Sequence, residues 1–345
     1  MRLSDEDYMR RALQLAALGR YHASPNPLVG AVIVGLGGRV IGEGWHRKCG
    51  TGHAEVNAVA SVADEAQLRT ATMYVTLEPC SHWGRTPPCA RLIIEKGIPR
   101  VVVAARDPFP AVSGRGIAML QEAGVDVLVG VLEQESLQLN ARFITAHTMK
   151  RPFVVLKWAQ SRDGFLDLSR EPGRPAARIS TPLTSTLMHA LRSRYDAILA
   201  GSGTVVMDNP RLDTRLWPGT TAPRPVVLDR RGRVAADARC LREGAIVETA
   251  ATSPAELLPR LYHDHGITSL LVEGGAAVLG SFIDSGLWDV ARVETSPERF
   301  GLRGSAPAPA ISATPAATRR IDGRRIDGRR IDLYVQNPLV DVKNL

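Results

Sequence analysis

The sequence predicts an α/β protein of two domains. Its 345 residues, at roughly 150 per domain, suggest two units. The composition, 44% hydrophobic and 23% charged, is that of an ordinary globular chain. Short apolar runs alternate with helical patterns along the sequence. These features exclude a disordered chain, a collagen-like fibre and a disulfide miniprotein.

In the first half, Ser4 caps a helix running to about residue 19, with Asp7 in its first turn. Residues 30–34 (G-A-V-I-V) and 40–43 read as strands joined by a turn at Gly37-Gly38. A helix follows over 53–63, a strand over 72–77 and a helix over 89–96 that Gly97 ends. Strand 101–104, helix 116–123, strand 125–129 and a single helix over 133–147 complete the series. Pro152 breaks the chain there, which predicts domains over 1–149 and 150–345. The second series has strands at 153–158, 197–200, 226–228, 245–247, 269–272 and 290–293, with helices at 184–194 and 275–284. Residues 301–318, rich in Ala, Pro and Ser, read as a loop.

The net charge of +8 raises the question of an anionic partner. Six Arg and three Asp of that balance sit in one tail, R-R-I-D-G-R-R-I-D-G-R-R-I-D, at 319–332. The remaining charge is too diffuse for a nucleic-acid groove and suits a small phosphorylated molecule. The tail units are too short for a solenoid. They read as a duplicated surface turn between two edge strands, or as a basic arm that an Asp in every unit weakens. No stretch reaches the ~18 apolar residues of a membrane span. Acids at Asp5, Glu6 and Asp7 stand where a signal peptide needs an apolar run. The expectation is a cytoplasmic protein with no membrane and no nucleic-acid partner. Four Cys are no disulfide framework, and in a reduced compartment clustered Cys more often mean metal.

The informative stretch is 51–89, with His53-Ala54-Glu55, Pro79-Cys80 and Cys89. One imidazole and two thiolates suit Zn²⁺ and leave a fourth tetrahedral position for water. Glu55, two residues after His53, is placed to move a proton from that water to a leaving amine. This is the H-x-E plus P-C…C signature of zinc-dependent nucleobase deaminases. A closed structural site is the alternative, with Cys49 or His82 as fourth ligand, but it leaves Glu55 without a purpose. In the second half, Gly201-Ser202-Gly203-Thr204 lacks the third Gly of a dinucleotide fingerprint. Val272-Glu273-Gly274-Gly275 is either a phosphate cradle or a tight turn.

Residues 24–30 (S-P-N-P-L-V-G), 42–46 (G-E-G-W-H), His53-Ala54-Glu55 and 78–89 (E-P-C-S-H-W-G-R-T-P-P-C) resemble the bifunctional deaminase–reductase family of riboflavin biosynthesis. The nine-residue step from Cys80 to Cys89, in place of C-x-x-C, is part of the resemblance. So are Gly114-Arg115-Gly116 and 140–145 (N-A-R-F-I-T). In the second half, Lys157-Trp158-Ala159, Asp163-Gly164, Leu191-Arg192, 196–199 (D-A-I-L), Asp208-Asn209-Pro210 and 271–275 (L-V-E-G-G) extend it. The resemblance implies an N-terminal cytidine-deaminase-like domain and a C-terminal dihydrofolate-reductase-like domain. It implies zinc on His53, Cys80 and Cys89, Glu55 as acid/base, and Asn26 and His82 lining the pyrimidine pocket. Arg192, Leu212, Arg215 and Glu273 would contact a small phosphorylated pyrimidine, an Arg pair suiting its ribose phosphate. NADPH would lie against Ala159, Thr204, Asp208, Arg230 and the run Gly275, Ala276, Ala277, Val278, Leu279, Gly280 and Ser281. A homodimer or tetramer is implied as well.

Two departures stand out. Where many members carry Ser-x-Trp, this chain has Ala176-Ala177-Arg178, after a longer loop over 169–175. Ala176 cannot donate a hydrogen bond, and Arg178 stands in the cofactor region in place of an aromatic. The Arg-rich repeat is the second departure. The rivals to a two-activity enzyme are a deaminase with an impaired reductase half, a nucleic-acid-editing deaminase, and a non-catalytic zinc module. The long step between Cys80 and Cys89 and an aromatic content of only 5% for base stacking weigh against nucleic acid.

Overall fold

The computed structural model describes residues 3–83, 87–108, 113–242, 244–311 and 318–340. Two compact units divide the chain between Met149 and Lys150. Among the described residues, no helix is long and apolar enough to cross a membrane.

The first unit begins with α1 (Asp5–Ala17), whose Ser4 and Asp7 form a reciprocal capping box. It continues through β1 (Gly30–Val34), β2 (Val40–Trp45), α2 (Ala54–Ala60), β3 (Thr72–Leu77) and α3 (Cys89–Glu95). Then come β4 (Arg100–Ala105), α4 (Arg115–Glu122), β5 (Asp126–Val129), α5 (Glu133–Leu139) and α6 (Ala141–Met149). The sheet order is β2-β1-β3-β4-β5. β1 runs antiparallel to both β2 and β3, whereas β3, β4 and β5 are mutually parallel. Strands β1, β3 and β4 are almost wholly buried, so their runs are apolar without alternation. One face packs under α2, α3 and α4 with Ile33, Met73, Ile93 and Leu120, and the other under α1 with Met9, Val32 and Val102.

The expected single helix over 133–147 is instead two, α5 and α6, broken at Asn140. The Asn140 side chain accepts from the Leu28 amide at 2.8 Å and donates to the Leu28 carbonyl at 2.9 Å. A residue that answers both backbone groups of the segment before β1 gives up helical geometry, a choice that helix periodicity does not record.

In the second unit β6 (Phe153–Gln160), β7 (Phe165–Leu168), α7 (Pro182–Arg192), β8 (Ala197–Gly201) and α8 (Ser202–Asp208) come first. They are followed by β9 (Arg224–Leu228), β10 (Ile246–Glu248), α9 (Pro254–His263), β11 (Ser269–Val272), α10 (Ala276–Ser285) and β12 (Val290–Thr295). Last are β13 (Gly304–Pro307), β14 (Arg319–Ile326) and β15 (Arg329–Val335). The main sheet has the order β10-β9-β8-β11-β6-β12-β15-β14. Its first six strands are parallel, and β15 and β14 add antiparallel at one side. The core on one face joins Val154, Leu156 and Trp158 of β6 to Leu257, Leu261, Leu279 and Phe282.

Three expectations change here. Residues 304–307, inside the expected loop, form β13 and pair antiparallel with β7, a strand too short and too mixed to show in the pattern. The Arg-rich repeat is not a pair of surface turns. Its first two units make the edge strand β14, a single turn at Asp327-Gly328 follows, and the third opens β15, which is interior. Asp332 is buried and binds Arg320 and Arg330, so the acid of the third unit pairs with one arginine of its own unit and one of the first. Finally, α9 was not anticipated. Its signal is Ser253 as a cap before Pro254, with Leu257, Leu258 and Leu261 on the buried side.

Candidate active sites

In the first unit the site forms at the carboxyl end of β3, where open α/β sheets leave their crevice. His53 caps the N-terminus of α2 and Cys89 opens α3, while Cys80 follows β3. α2 lies close over β2 because a Cβ on Gly44 would collide with the backbone of Ala54 and Ala58. The G-E-G-W-H segment thereby sets the height of His53. His53 Nδ1 lies 3.6 Å from Cys80 Sγ and 3.3 Å from Cys89 Sγ. Bond lengths of about 2.3 Å to sulfur and 2.0 Å to nitrogen around a tetrahedral centre put such atoms about 3.5 Å apart. The three residues therefore fit a zinc ion, and their ligand atoms all lie within 4.8 Å of one another.

A hydrogen bond from Cys89 pulls the Cys80 thiol down to about 4, while that same bond and burial push Cys89 up. A bound dication deprotonates a coordinating thiol outright. The Cys89 amide also donates to Cys80 Sγ, at 3.3 Å. Glu55, on the first turn of α2, is only 3% exposed. Burial, and then the Cys80 charge, lift its carboxyl to about 7, where it can both hold and release a proton at neutral pH.

Around this triad, Asn26 donates through Nδ2 to His46 Nε2 at 3.0 Å. His46 is buried, and burial holds its pKa below the usual imidazole value. His82 is exposed, next to residues outside the description. One carboxylate that sequence reasoning left without a role is Glu78 of the E-P-C segment. It is buried and accepts from the amides of Asp107 at 3.2 Å, Gly114 at 2.9 Å, Gly116 at 2.9 Å and Ile117 at 3.4 Å. A Cβ on Gly116 would strike the Pro79 carbonyl, so the start of α4 is pressed against the turn that carries Cys80. The signal was the Gly-Arg-Gly triplet that such an approach requires.

The second unit holds a cleft of about 890 Å³, within the range of small-molecule sites. Ala159, Thr204, Asp208, Arg230, Gly275, Ala276, Ala277, Val278 and Ser281 line it, as do Glu273 and Lys157. The start of α10 in its wall and the guanidiniums of Arg170, Arg230, Arg231 and Arg233 suit an anionic dinucleotide such as NADPH. Leu279 is not among the residues that line the cleft; its side chain is wholly buried in the core. Gly280 is likewise outside the lining.

Arg178 is exposed and outside the lining too, whereas Ala176 is within it. The cation that the longer loop brings to the cleft is Arg170, which binds Asp167 at 2.5 Å and also Asp208. Asp167 in turn accepts from the Ala177 amide at 2.9 Å. This bond and the burial of Ile179 set the path of the segment and leave Arg178 pointing to solvent. Only the loop's length hinted at Arg170.

Arg192 meets Glu273 in a two-pronged ion pair, Nε at 2.8 Å and Nη2 at 2.6 Å, and Nη1 donates to the Asp213 carbonyl at 3.0 Å. Burial by itself would raise the Glu273 carboxyl, but Arg192 and then Lys157 hold it down at about 2. Lys157, which sequence reasoning quoted without a role, is pushed below the usual lysine range by burial, against the pull of Glu273 and Glu294. Arg215 is exposed and binds Asp213 at 2.5 Å. Leu212 is buried, and its carbonyl accepts from Arg242 at 3.0 Å.

Comparison with known proteins accords with both sites. The cytidine and deoxycytidylate deaminase zinc-binding region matches residues 2–105, and the RibD C-terminal domain matches residues 152–313. Riboflavin biosynthesis protein RibD of Aquifex aeolicus is 38% identical over 319 residues, covering 86% of this chain and 88% of that protein. The structure of Acinetobacter baumannii RibD superposes with a TM-score of 0.87 at 32% identity, covering 96% of this chain and 98% of that one. The Thermotoga maritima diaminohydroxyphosphoribosylaminopyrimidine deaminase/5-amino-6-(5-phosphoribosylamino)uracil reductase gives 0.85 at 36% identity, with the same coverage. The chain belongs to the RibD family of riboflavin biosynthesis, joining a zinc-dependent deaminase and an NADPH-dependent reductase of dihydrofolate-reductase-like fold in one polypeptide.

Proposed function

We propose that the chain deaminates 2,5-diamino-6-ribosylamino-4(3H)-pyrimidinone 5′-phosphate and then reduces the ribosyl group to ribityl. The observation that carries this reading is a buried carboxyl, Glu55, beside the nitrogen-and-sulfur triad of His53, Cys80 and Cys89 that the described residues bring together. Zinc held there supplies a nucleophilic water at neutral pH. Glu55 would hold a proton on its buried carboxyl and pass it to the departing amine. Asn26 and His82 orient the pyrimidine.

In the second unit NADPH supplies the hydride. Ala159, Thr204, Asp208, Arg230 and the start of α10 hold the nucleotide, with Arg170 setting the direction of Asp208. Arg192 commits its fork to Glu273, so Arg215, exposed and paired with Asp213 through Nη1, is the guanidinium that would meet the substrate phosphate. The substrate class is supported by the name of the Thermotoga relative and by guanidiniums around the cleft. A homodimer or tetramer working in the cytoplasm completes the proposal, and light scattering tests the assembly.

A coupled assay on this pyrimidine, following ammonia and NADPH absorbance separately, tests the reading. Release of ammonia with consumption of NADPH is expected. Ammonia alone would limit the chain to deamination, and Ala176 would be the first suspect. Neither signal from zinc-loaded protein would overturn the substrate assignment.

A further inference from the structure

We infer that His46 is a positioning residue for the deamination: its imidazole fixes which end of the Asn26 amide faces the site. The inference rests on the reading that Asn26 meets the pyrimidine. His46 follows β2 directly, and its amide donates to the Val29 carbonyl at 2.9 Å, extending the β1–β2 pairing by one rung. The ring is thereby carried to the edge of the triad. It stands perpendicular to the His53 ring, with centroids 5.6 Å apart.

The hydrogen bonds leave the imidazole one arrangement. Nδ1 lies 3.2 Å from the Gly52 carbonyl oxygen, which can only accept, so Nδ1 carries the proton. Nε2 then has a lone pair and accepts from Asn26 Nδ2 at 3.0 Å. The Gly52 carbonyl is itself held in place by Asn57, whose Nδ2 donates to it at 3.1 Å and to the Trp45 carbonyl at 2.8 Å. Asn57 sits on α2 one turn after His53, so the carbonyl that dictates the tautomer belongs to the same segment as the first metal ligand.

With one Nδ2 hydrogen directed at His46, Oδ1 is the acceptor that Asn26 turns toward a ligand. Asn26 is thus presented as an acceptor, matched to a pyrimidine that offers an N–H donor there. A reversed amide would set donor against donor. Nothing in the backbone of Asn26 prevents that reversal, since its own amide is engaged by the Ala23 carbonyl at 2.9 Å whichever way the side chain turns. The direction of the amide is decided by His46 alone among the described residues.

Two variants of near-equal volume separate the hydrogen bonds from the packing. In H46Q the side-chain oxygen can accept from Asn26 while the nitrogen donates to Gly52. H46M fills the space and makes neither bond. Both are loaded with zinc, and metal content is measured beside ammonia release. H46M is expected to lose about 10–100-fold in kcat/KM with zinc retained, the scale of one mismatched buried hydrogen bond. H46Q is expected to stay within about threefold of the parent, since one hydrogen-bond pair replaces another.

In ¹⁵N-histidine-labelled zinc-loaded protein, Nδ1 of His46 is expected to be the protonated nitrogen. A protonated Nε2, or H46M with parental kcat/KM, overturns the inference. So does H46Q failing as badly as H46M, because the imidazole would then act in some other way. N26A keeps the two levels apart. If N26A is impaired while H46M is not, the inference about His46 fails alone; if N26A is unimpaired, the reading of Asn26 itself fails.

Discussion

The two sites are built on opposite plans. In the first unit, three ligand atoms converge within 4.8 Å and come from 37 consecutive residues, His53 to Cys89. In the second, a cleft of about 890 Å³ draws its lining from Lys157 through Ala306, and among its charges Arg170 is paired with Asp167 and Asp208 while Glu273 is held by Arg192. A metal-centred site needs few residues of distinctive chemistry in fixed order, because one ion organises them. A dinucleotide site needs many ordinary residues at the ends of several parallel strands, because the ligand is long. A change of ligand identity should therefore cost the first site far more than a change of one lining residue costs the second.

Removing a ligand should show the contrast most sharply. C80S or C89S is expected to lose zinc and at least about 10³-fold in ammonia release. NADPH oxidation with the deaminated intermediate should persist, and its loss would mean that the units are not separable in this way. Next in size, E55Q is expected to bind zinc normally and to release ammonia about 10²–10⁴-fold more slowly, the range for a lost proton carrier. Turnover near the parental rate would remove Glu55 from the chemistry.

The Arg192–Glu273 pair sets the scale for the second site. R192A leaves a buried carboxylate without its partner and is expected to destabilise the fold by about 3–5 kcal/mol, measured by chemical denaturation of the full chain. The pH dependence follows from the low pKa of Glu273. Its folded value, about 2, lies below the ordinary 4.5, so its contribution is fully present above pH 4.5 and fades as the pH falls toward 2. In R192A that acid limb should flatten; an unchanged limb would show that other carboxylates dominate it.

Smaller effects sharpen the comparison. E78Q presents an amide N–H to some of the four backbone donors that Glu78 now satisfies, and is expected to cost about 1–3 kcal/mol with zinc retained. R170A is expected to raise the KM for NADPH about tenfold by releasing Asp208, whereas R178A, changed at an exposed position, should stay within about twofold. The reverse order would return Arg178 to the cofactor site.

The deaminase site was largely legible in the sequence because its chemistry is local. His53-Ala54-Glu55 lies on one helix start, and the proline before Cys80 marks a strand end. The reductase site was legible chiefly by family resemblance. The run Gly275 to Ser281 came whole from the resemblance, and along α10 the Leu279 side chain packs in the core while Val278 and Ser281 line the cleft.

What the sequence by itself determined is the alternation of elements, the triad with Glu55, and the division into two α/β halves. Periodicity, caps and ligand chemistry are short-range properties, written in neighbouring residues. Only the tertiary structure decided that Asn140 splits a helix, that Glu78 braces the start of α4 and that Arg170 reaches the cleft. It alone decided that the Arg-rich repeat supplies two strands of a sheet. Each of these depends on a partner far along the chain: Leu28 for Asn140, Gly114 and Gly116 for Glu78, Asp208 for Arg170 and β12 for β15. Such pairings are chosen by burial and hydrogen-bond satisfaction in the folded state, where a buried polar group must find its partner wherever the chain brings one.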